Sequence, residues 1–429
     1  MPPSSQSNLD YHLIFNSRTL LHRFSLENGL RVVLDYDPTQ AMAVVDVLYN
    51  VGSRDEHPGH TGMAHLFEHL MFGGSANIAD FDGELTRAGG QSNAWTSTDY
   101  TNFFDILPAA NIETALWLES DRMLSLAFAE KPLEVQRQVV VEEFKQVCLN
   151  RPYGDSEHLL RAMCYTTHPY RTPVIGKEFA HIEQVTQDDV RRWFAAHYAP
   201  NNAVLSVAGN VTSERLHALV QKWFGQIPAR QIAPRLYSDE PEPDGERLTE
   251  ASGNVPQTAI TMAFPMAAYG APGFAAADAV SDILANGRSS RFYRRLLRPG
   301  NVFSDLDASI LGSDHPGLFL VSARLLENGP QAEARALEAI REELAGIASH
   351  APAPRELERV KNTVESDRTF SLLPLQPRAE AYALAEMHGH DPAEPLCRYR
   401  SLTPEEVRSS AAALFAPGRA RTLIYRPRS

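Results

Sequence analysis

The chain has 429 residues, of which 43% are hydrophobic and 22% charged, and its formal net charge is −13. This composition is typical of a globular protein of about two to three domains, and the acidic balance argues against nucleic acid or an anionic membrane as the main partner. No apolar run reaches the roughly 18 residues of a membrane-spanning helix, and three widely spaced cysteines do not indicate a disulfide framework. Because Met1–Asp10 lack the pattern of a signal peptide, we expect a cytoplasmic protein with no membrane partner.

The first predicted elements are two strands. Arg31–Asp37 and Met42–Tyr49 are short runs rich in Val and Leu, which is typical of buried strands. Helical patterns follow them along the chain. Strands first and helices afterwards predict an α+β arrangement, with a mostly antiparallel sheet covered by helices on one face.

The next element, Thr61–Phe72, is a predicted helix that carries three polar side chains in an apolar run. At about 100° per residue, His65 and His69 lie one above the other, and Glu68 lies about 60° to one side. Burying these groups together costs several kcal/mol unless something compensates. A zinc ion bound by the imidazoles, with the carboxylate beside its water, would do so. The alternative is that the histidines are core residues bonded to backbone carbonyls.

Asn93–Phe104 is the next predicted strand, because small, polar and aromatic residues alternate along it. Its aromatic residues Trp95 and Phe103 are expected to pack in the core of an antiparallel sheet.

A second helix is predicted from Lys131 to Asn150, with Val140, Phe144 and Val147 on its apolar face. Two adjacent acids differ in direction on this helix. Glu143 is three residues after Val140 and four before Val147, so it shares the buried face, whereas Glu142 points toward water. A catalytic zinc site needs three protein ligands, and Glu143 is the better candidate for the third. The alternative is that Glu143 is a boundary residue at the edge of the apolar stripe.

An internal repeat relates the two halves of the chain. Val185–Arg191 aligns with Leu402–Arg408, and the match continues without a gap to an Ala-Pro pair in each copy. Each copy has a threonine, Thr186 or Thr403, suited to cap a helix ahead of acidic first-turn residues. A short apolar strand follows in both. A repeat unit of this length indicates duplicated domains.

The join between the halves is predicted at a proline-rich polar stretch. We therefore expect a first α+β domain over residues 1–227, a linker over 228–254, and a second, homologous α+β domain over 255–429. The second domain lacks the two-histidine pattern.

Several motifs resemble the pitrilysin/insulinase family of zinc metallopeptidases, the inverzincins. The His-x-x-Glu-His order at His65–His69 is the signature of that group. Further matching stretches are Gly89–Phe103, His168–Tyr170 followed by Ile175-Gly176, and Tyr198–Ala203 leading to Gly209-Asn210. The resemblance covers essentially the whole chain and is most specific over residues 26–211.

The resemblance implies a peptidase with one zinc ion per chain, held by His65, His69 and Glu143. Glu68 would be the general base that takes a proton from the attacking water. The family pattern also implies two halves facing each other like a clamshell, and an edge strand that pairs with an extended peptide substrate. Asn93 and Ala94 match the family residues nearest the substrate backbone.

The sequence departs from the family in two places. Relatives use an arginine and a tyrosine of the second half to hold the substrate, but Phe303 stands where the tyrosine is expected, and a phenyl ring donates no hydrogen bond. Arg298 is present with a shorter spacing. Gln136, two turns before Glu143, replaces a frequent glutamate and is expected to lie near the metal ligands.

These departures suggest a metal-bearing subunit whose homologous partner, or second copy, supplies the missing arginine and tyrosine. The alternative of a different class is a non-catalytic assembly subunit of the same fold, which typically loses parts of the metal motif. A nucleotide-dependent enzyme is disfavoured, because the glycine pairs Gly73-Gly74 and Gly89-Gly90 lack the lysine of a phosphate loop.

Overall fold

A computed structural model describes residues 20–127, 130–235 and 237–428. Met1–Asp10, from which the absence of a signal peptide was inferred, lie outside the described residues. The chain forms two compact units, each discontinuous in sequence. Within the described residues, the first unit contains those up to Phe144, residues 172–235 and Arg368–Glu394. The second contains Lys145–Arg171, Tyr237–Asp367 and the residues from Pro395 onward.

Eleven strands are present in the described residues: β1 (Leu20–Ser25), β2 (Arg31–Tyr36), β3 (Met42–Tyr49), β4 (Gln91–Thr96), β5 (Thr101–Pro108), β6 (Ala203–Gly209), β7 (Arg247–Gly253), β8 (Ala259–Met266), β9 (Phe303–Leu311), β10 (Gly317–Leu325) and β11 (Arg421–Pro427).

The α-helices of the described residues are α1 (Met63–Met71), α2 (Phe81–Arg87), α3 (Ile112–Leu124), α4 (Glu130–Phe144), α5 (Ser156–Cys164), α6 (Phe179–Glu183), α7 (Gln187–His197), α8 (Ser213–Phe224), α9 (Phe274–Leu284), α10 (Pro330–Ser349), α11 (Pro354–Ser371), α12 (Leu375–His388), α13 (Glu394–Ser401) and α14 (Pro404–Leu414). A π-helical turn, Lys145–Leu149, follows α4, so the helix predicted from Lys131 to Asn150 is present in two geometries. None of the described helices combines the length and apolarity needed to cross a membrane.

The first unit is built on a six-stranded sheet of order β1-β2-β6-β3-β5-β4. Only the β2–β6 pair is parallel. One face carries Val45, Val47 and their neighbours, which pack with apolar residues of α1, α3, α7 and α8 in a single core. This mostly antiparallel sheet under helices confirms the predicted α+β class.

The opposite face of this sheet is also covered, contrary to the expectation of one covered face. Val44 and Leu48 point to that side and pack with Ala379 and Tyr382 of α12. A buried ion pair fixes the helix, since Arg378 Nε lies 2.9 Å from Asp35 Oδ2. No local pattern indicates this contact, because α12 comes from the far end of the chain.

The second unit has a five-stranded sheet of order β7-β11-β8-β10-β9, in which only β7 and β11 are parallel. One face packs with α9, α10, α11 and α14, and α5 covers the other face through Leu160 and Met163. The arrangement of β7, β11 and β8 repeats that of β2, β6 and β3 in the first unit. The predicted linker is not wholly irregular, because strand β7 falls within it.

The repeated helix starts are confirmed. Thr186 accepts a hydrogen bond from Asp189 N–H, and Thr403 accepts one from Glu406 N–H, each within a complete capping box. The prediction of one strand over Asn93–Phe104 is wrong, because that segment is the β4–β5 hairpin. Ser97 makes the turn, since its hydroxyl oxygen accepts the N–H of Tyr100 at 2.9 Å.

Candidate metal centre and edge strand

Helix α1 buries its apolar side chains and leaves its three polar side chains together on the half-buried face. Six of its nine residues are buried, and the three half-buried ones are His65, Glu68 and His69. The N-cap residue of the helix is Gly62, whose φ of 84° favours glycine, and a Cβ there would meet Ile182 Cδ1 at 2.6 Å. The polar face of α1 is therefore the part left open to a ligand.

The N-terminus of α1 is held by a carboxylate from outside the helix. Glu56 accepts hydrogen bonds from Gly62 N–H at 2.8 Å and Ala64 N–H at 2.9 Å. These are N–H groups that a helix cannot satisfy internally. Sequence reasoning missed Glu56, although a helix with glycine at its N-cap needs an acceptor from elsewhere.

Helix α4 packs against α1 and brings Glu143 to the histidines. Glu143 Oε2 lies 3.7 Å from His65 Nε2 and 3.6 Å from His69 Nε2. The two imidazole rings are 4.8 Å apart and nearly perpendicular. These three residues form the one group of metal-ligand type found among the described residues. Glu142, the neighbour, is exposed.

The donor set fits a zinc ion. Tetrahedral ligands at about 2.0–2.1 Å from zinc lie about 3.3 Å from one another, close to the observed carboxylate–imidazole distances. Burial lowers the pKa of His65, and this effect outweighs the opposing influence of Glu143. A lowered pKa keeps the imidazole neutral, which is the form that binds a metal.

Glu68 lies beside this group and is bonded to the edge strand. Burial raises the pKa of its carboxyl, while the hydrogen bond from Thr96 and the nearby His69 lower it. Thr96 Oγ1 donates to Glu68 Oε2 at 2.5 Å. Thr96 was missed at the sequence level, although it follows Ala94 by two residues and so shares its face of the strand.

Strand β4, which carries Asn93 and Ala94, is the edge of the first sheet. Ser97 N–H bonds to Tyr100 O, and antiparallel pairing alternates, so Ala94 and Thr96 direct their backbone groups away from β5. Asn93 is exposed, and its Oδ1 accepts the N–H of Ala94 at 2.8 Å. The strand therefore presents an open backbone edge next to Glu68.

The other predicted residues have the following surroundings in the structure. Gln136 is half-buried on α4, and no hydrogen bond joins it to the three grouped residues in the described part of the chain. Phe303 is 3% exposed and belongs to the core of the second unit. Phe103 is buried in the first unit, as expected, whereas Trp95 is half-buried.

Comparison with known proteins gives matches over most of the chain. Residues 31–177 match the family described as Insulinase (Peptidase family M16), and residues 184–364 match the one described as Peptidase M16 inactive domain. Zinc protease PqqE of Helicobacter pylori is 32% identical over 324 residues, which is 73% of this chain and 71% of that protein. Uncharacterized zinc protease YmxG of Bacillus subtilis is 26% identical over 355 residues, 82% of this chain and 85% of that protein.

Solved structures agree in fold. A protease from Helicobacter pylori superimposes with a TM-score of 0.88 at 28% identity, covering 95% of this chain and all of that one. Pitrilysin superimposes with a TM-score of 0.78 at 17% identity over 95% of this chain and 45% of its own length, a likeness of fold alone.

One further relative in sequence is a subunit of a larger enzyme. The mitochondrial-processing peptidase subunit beta of Saccharomyces cerevisiae is 28% identical over 269 residues, 61% of this chain and 57% of that protein.

Proposed function

Because the chain belongs to the insulinase family, peptidase family M16, we propose that it is a zinc-dependent endopeptidase that hydrolyses peptides bound in extended form. The observation that carries this proposal is the approach of Glu143 to His65 and His69, with Glu68 on the same helix face. Relatives whose names include zinc protease support the same metal.

His65, His69 and Glu143 would hold one zinc ion. When bound, zinc lowers the pKa of a coordinated water and stabilises negative charge on a peptide carbonyl oxygen. The fourth ligand position of a catalytic site stays open for water or substrate, and the half-exposed Glu143 carboxylate, with 39% of its side chain accessible, is consistent with an open site.

Glu68 is the general base of the proposed reaction. Its carboxylate accepts a proton from the attacking water and then delivers it to the departing amine. The raised pKa of Glu68 suits both steps, since a base with a pKa nearer neutrality is also a competent acid. The Thr96 hydroxyl holds one carboxylate oxygen, which fixes the direction of the other.

The substrate is proposed to add a strand to the open edge of β4. Main-chain hydrogen bonds to Ala94 and Thr96 would bind a peptide of any sequence, and flanking side chains would select among them. An arriving peptide carbonyl would displace the Asn93 side chain from Ala94 N–H. Asn93 and Ala94 are therefore the proposed substrate-binding residues.

A partner subunit completes the proposal. Phe303 is packed in a core and has no hydroxyl to offer a substrate. We propose that a homologous chain supplies the arginine and tyrosine that relatives use, so that this chain is the metal-bearing subunit of a dimer. The match to a subunit of a processing peptidase supports the proposal that this chain is one subunit of a dimer.

The test is incubation of zinc-loaded chain with a peptide mixture, followed by mass spectrometry. The proposal expects cleavage that a chelator abolishes, and an increase when the homologous partner chain is added. Absence of cleavage under both conditions, with zinc bound, would favour a non-catalytic assembly subunit. Full activity of the isolated chain would count against the partner.

A further inference from the structure

The second unit contains a pocket of about 460 Å³ that the proposed chemistry does not use. It lies beside the first turn of α5, on the face of the sheet that α5 covers. The loop before α5 contributes Arg151 and Tyr153, the helix contributes Ser156, and β10 contributes Ser322 and Arg324. Two guanidinium groups and two serine hydroxyl groups are thus among the groups that border one cavity.

Arg324 is the unusual member of this group. It lies directly opposite Asp305 in the β9–β10 register, and opposite charges in that position normally pair. No ion pair joins them, however, and the Arg324 guanidinium makes no hydrogen bond to any residue in the described ranges. Instead, Arg324 Cζ lies 3.6 Å from the centre of the Tyr153 ring. A guanidinium stacked on a ring keeps its N–H donors for another partner.

Tyr153 is held in place for this contact. Its φ of 60° makes it the one non-glycine residue with positive φ among those described. For a bulky side chain this conformation costs about 1–2 kcal/mol, and such strain concentrates at ligand sites. The phenol is locked to one peptide unit, since it donates to Gln257 O at 2.6 Å and accepts Gln257 N–H at 3.3 Å.

The charge of the pocket selects the ligand class. Arg151 and Arg324 bring two positive charges, and Asp305 is the single acid in the lining. The lining therefore has one positive charge more than it has negative charges, and the single negative charge of a carboxylate would neutralise it. A phosphate dianion would instead leave an excess of negative charge. A planar guanidinium also matches a carboxylate in geometry. The apolar wall formed by Leu423, Ala259 and the ring of Tyr425 suits the side chain next to that group.

We propose that this pocket binds the carboxylate group of a peptide, with Arg324 as its main contact and Arg151, Ser156 and Ser322 as further donors. The pocket would then hold a peptide at a point other than the scissile bond. The peptide class rests on the proposed function, but binding in the pocket requires neither zinc nor hydrolysis.

The test is calorimetric titration of the full chain after zinc has been removed with a chelator, so that the metal centre does not bind carboxylate. The probes are N-acetyl-alanyl-leucine as the free acid, the same peptide as its C-terminal amide, N-acetyl-glutamic acid α-amide, and inorganic phosphate. We expect the free acid to bind and the leucine amide not to bind. If the glutamic acid amide binds and the free acid does not, the pocket still binds a carboxylate, but that carboxylate belongs to a side chain of the peptide.

Two matched variants complete the test. Arg324→Gln should weaken binding of the carboxylate probe at least about tenfold. Arg335→Gln, which changes an exposed arginine paired with Glu327, should leave it unchanged, and equal melting temperatures would show that both variants fold. Unchanged binding in Arg324→Gln, equal binding of acid and amide, no binding by either carboxylate probe, or tighter binding of phosphate would each overturn the proposal. Since catalysis is absent from this assay, its result is independent of the peptidase test.

Discussion

Thr96 donates a hydrogen bond to Glu68 Oε2, and this contact joins the edge strand of the sheet to the helix that carries the two histidines. The strand offers backbone groups to a peptide, and the helix offers the carboxylate that moves a proton. One side chain therefore sets the position of the base relative to the peptide.

Thr96→Val should lower kcat/KM by about three- to tenfold, which corresponds to one hydrogen bond of about 1 kcal/mol. The bond favours the ionised carboxylate, so its loss should raise the pKa of Glu68 further. The acidic limb of the kcat/KM profile should then move to higher pH. Thr86→Val, at an exposed threonine of α2, is the control, and an equal shift in that variant would refute the assignment.

Glu68→Gln should retain zinc and lose at least about 100-fold in kcat, because general acid–base catalysis contributes about 10²–10⁴. Glutamine keeps the size of the side chain and can still accept the Thr96 hydroxyl, so binding of peptide should change little. Peptide binding is measured by calorimetry and turnover by mass spectrometry. Turnover near that of the wild type in the metal-loaded variant would remove Glu68 from the mechanism.

Arg378→Met should destabilise the first unit by about 3–5 kcal/mol, because it removes the Arg378 guanidinium from the buried Asp35 carboxylate. Hydrogen exchange of the backbone amides in α12 should quicken. Adding Asp35→Asn to the same chain should recover part of the loss, since the buried negative charge is then removed. Unchanged exchange in α12 would show that the ion pair does not fix the helix.

The stability that the Glu240 carboxylate contributes to the fold should depend on pH. Burial opposes its ionisation, but hydrogen bonds from Thr166, Thr167 and His168 outweigh burial and lower the pKa from 4.5 to about 2. A lowered pKa stabilises the fold above the ordinary value, and this stabilisation is lost as pH falls from 4.5 toward 2. Glu240→Gln should therefore melt a few degrees below the wild type at about pH 7.

The same difference should shrink at about pH 3, because the Glu240 carboxyl of the unfolded wild type is then mostly protonated and less of the stabilisation remains. Glu242→Gln is the control, since Glu242 is 81% exposed. A difference between Glu240→Gln and the wild type that is constant with pH would indicate that the carboxylate charge is not the cause.

Local patterns predicted those parts of the molecule that depend on periodicity. Met42–Tyr49 is a strand with the predicted bounds, since seven of its eight residues are buried on a two-sided sheet. The faces of α4 follow from the 3.6-residue repeat, which separates half-buried Glu143 from exposed Glu142. The repeated capping boxes at Thr186 and Thr403 depend only on residues within three positions.

Contacts between distant segments were not predictable in this way. Helix α12 covers the first sheet although it lies in sequence between two segments of the second unit, and Arg378 meets Asp35 only through the fold. Glu56 and Thr96 act on α1 from neighbouring segments. The missed turn in Asn93–Phe104 is different, because Ser97 followed by Asp99 is a local turn pattern that the alternation of the segment obscured.

The proposed peptidase activity requires a zinc ion held jointly by α1 and α4, and zinc content tests this most directly. Purified wild type, Glu143→Gln and Glu142→Gln are compared by elemental analysis after dialysis against limiting zinc. Both variants replace a glutamate with a glutamine, and the two substituted positions are adjacent in the chain. We expect about one zinc per chain in the wild type and in Glu142→Gln, and much less in Glu143→Gln. Equal zinc in all three proteins, or zinc lost only in Glu142→Gln, would contradict the proposed site.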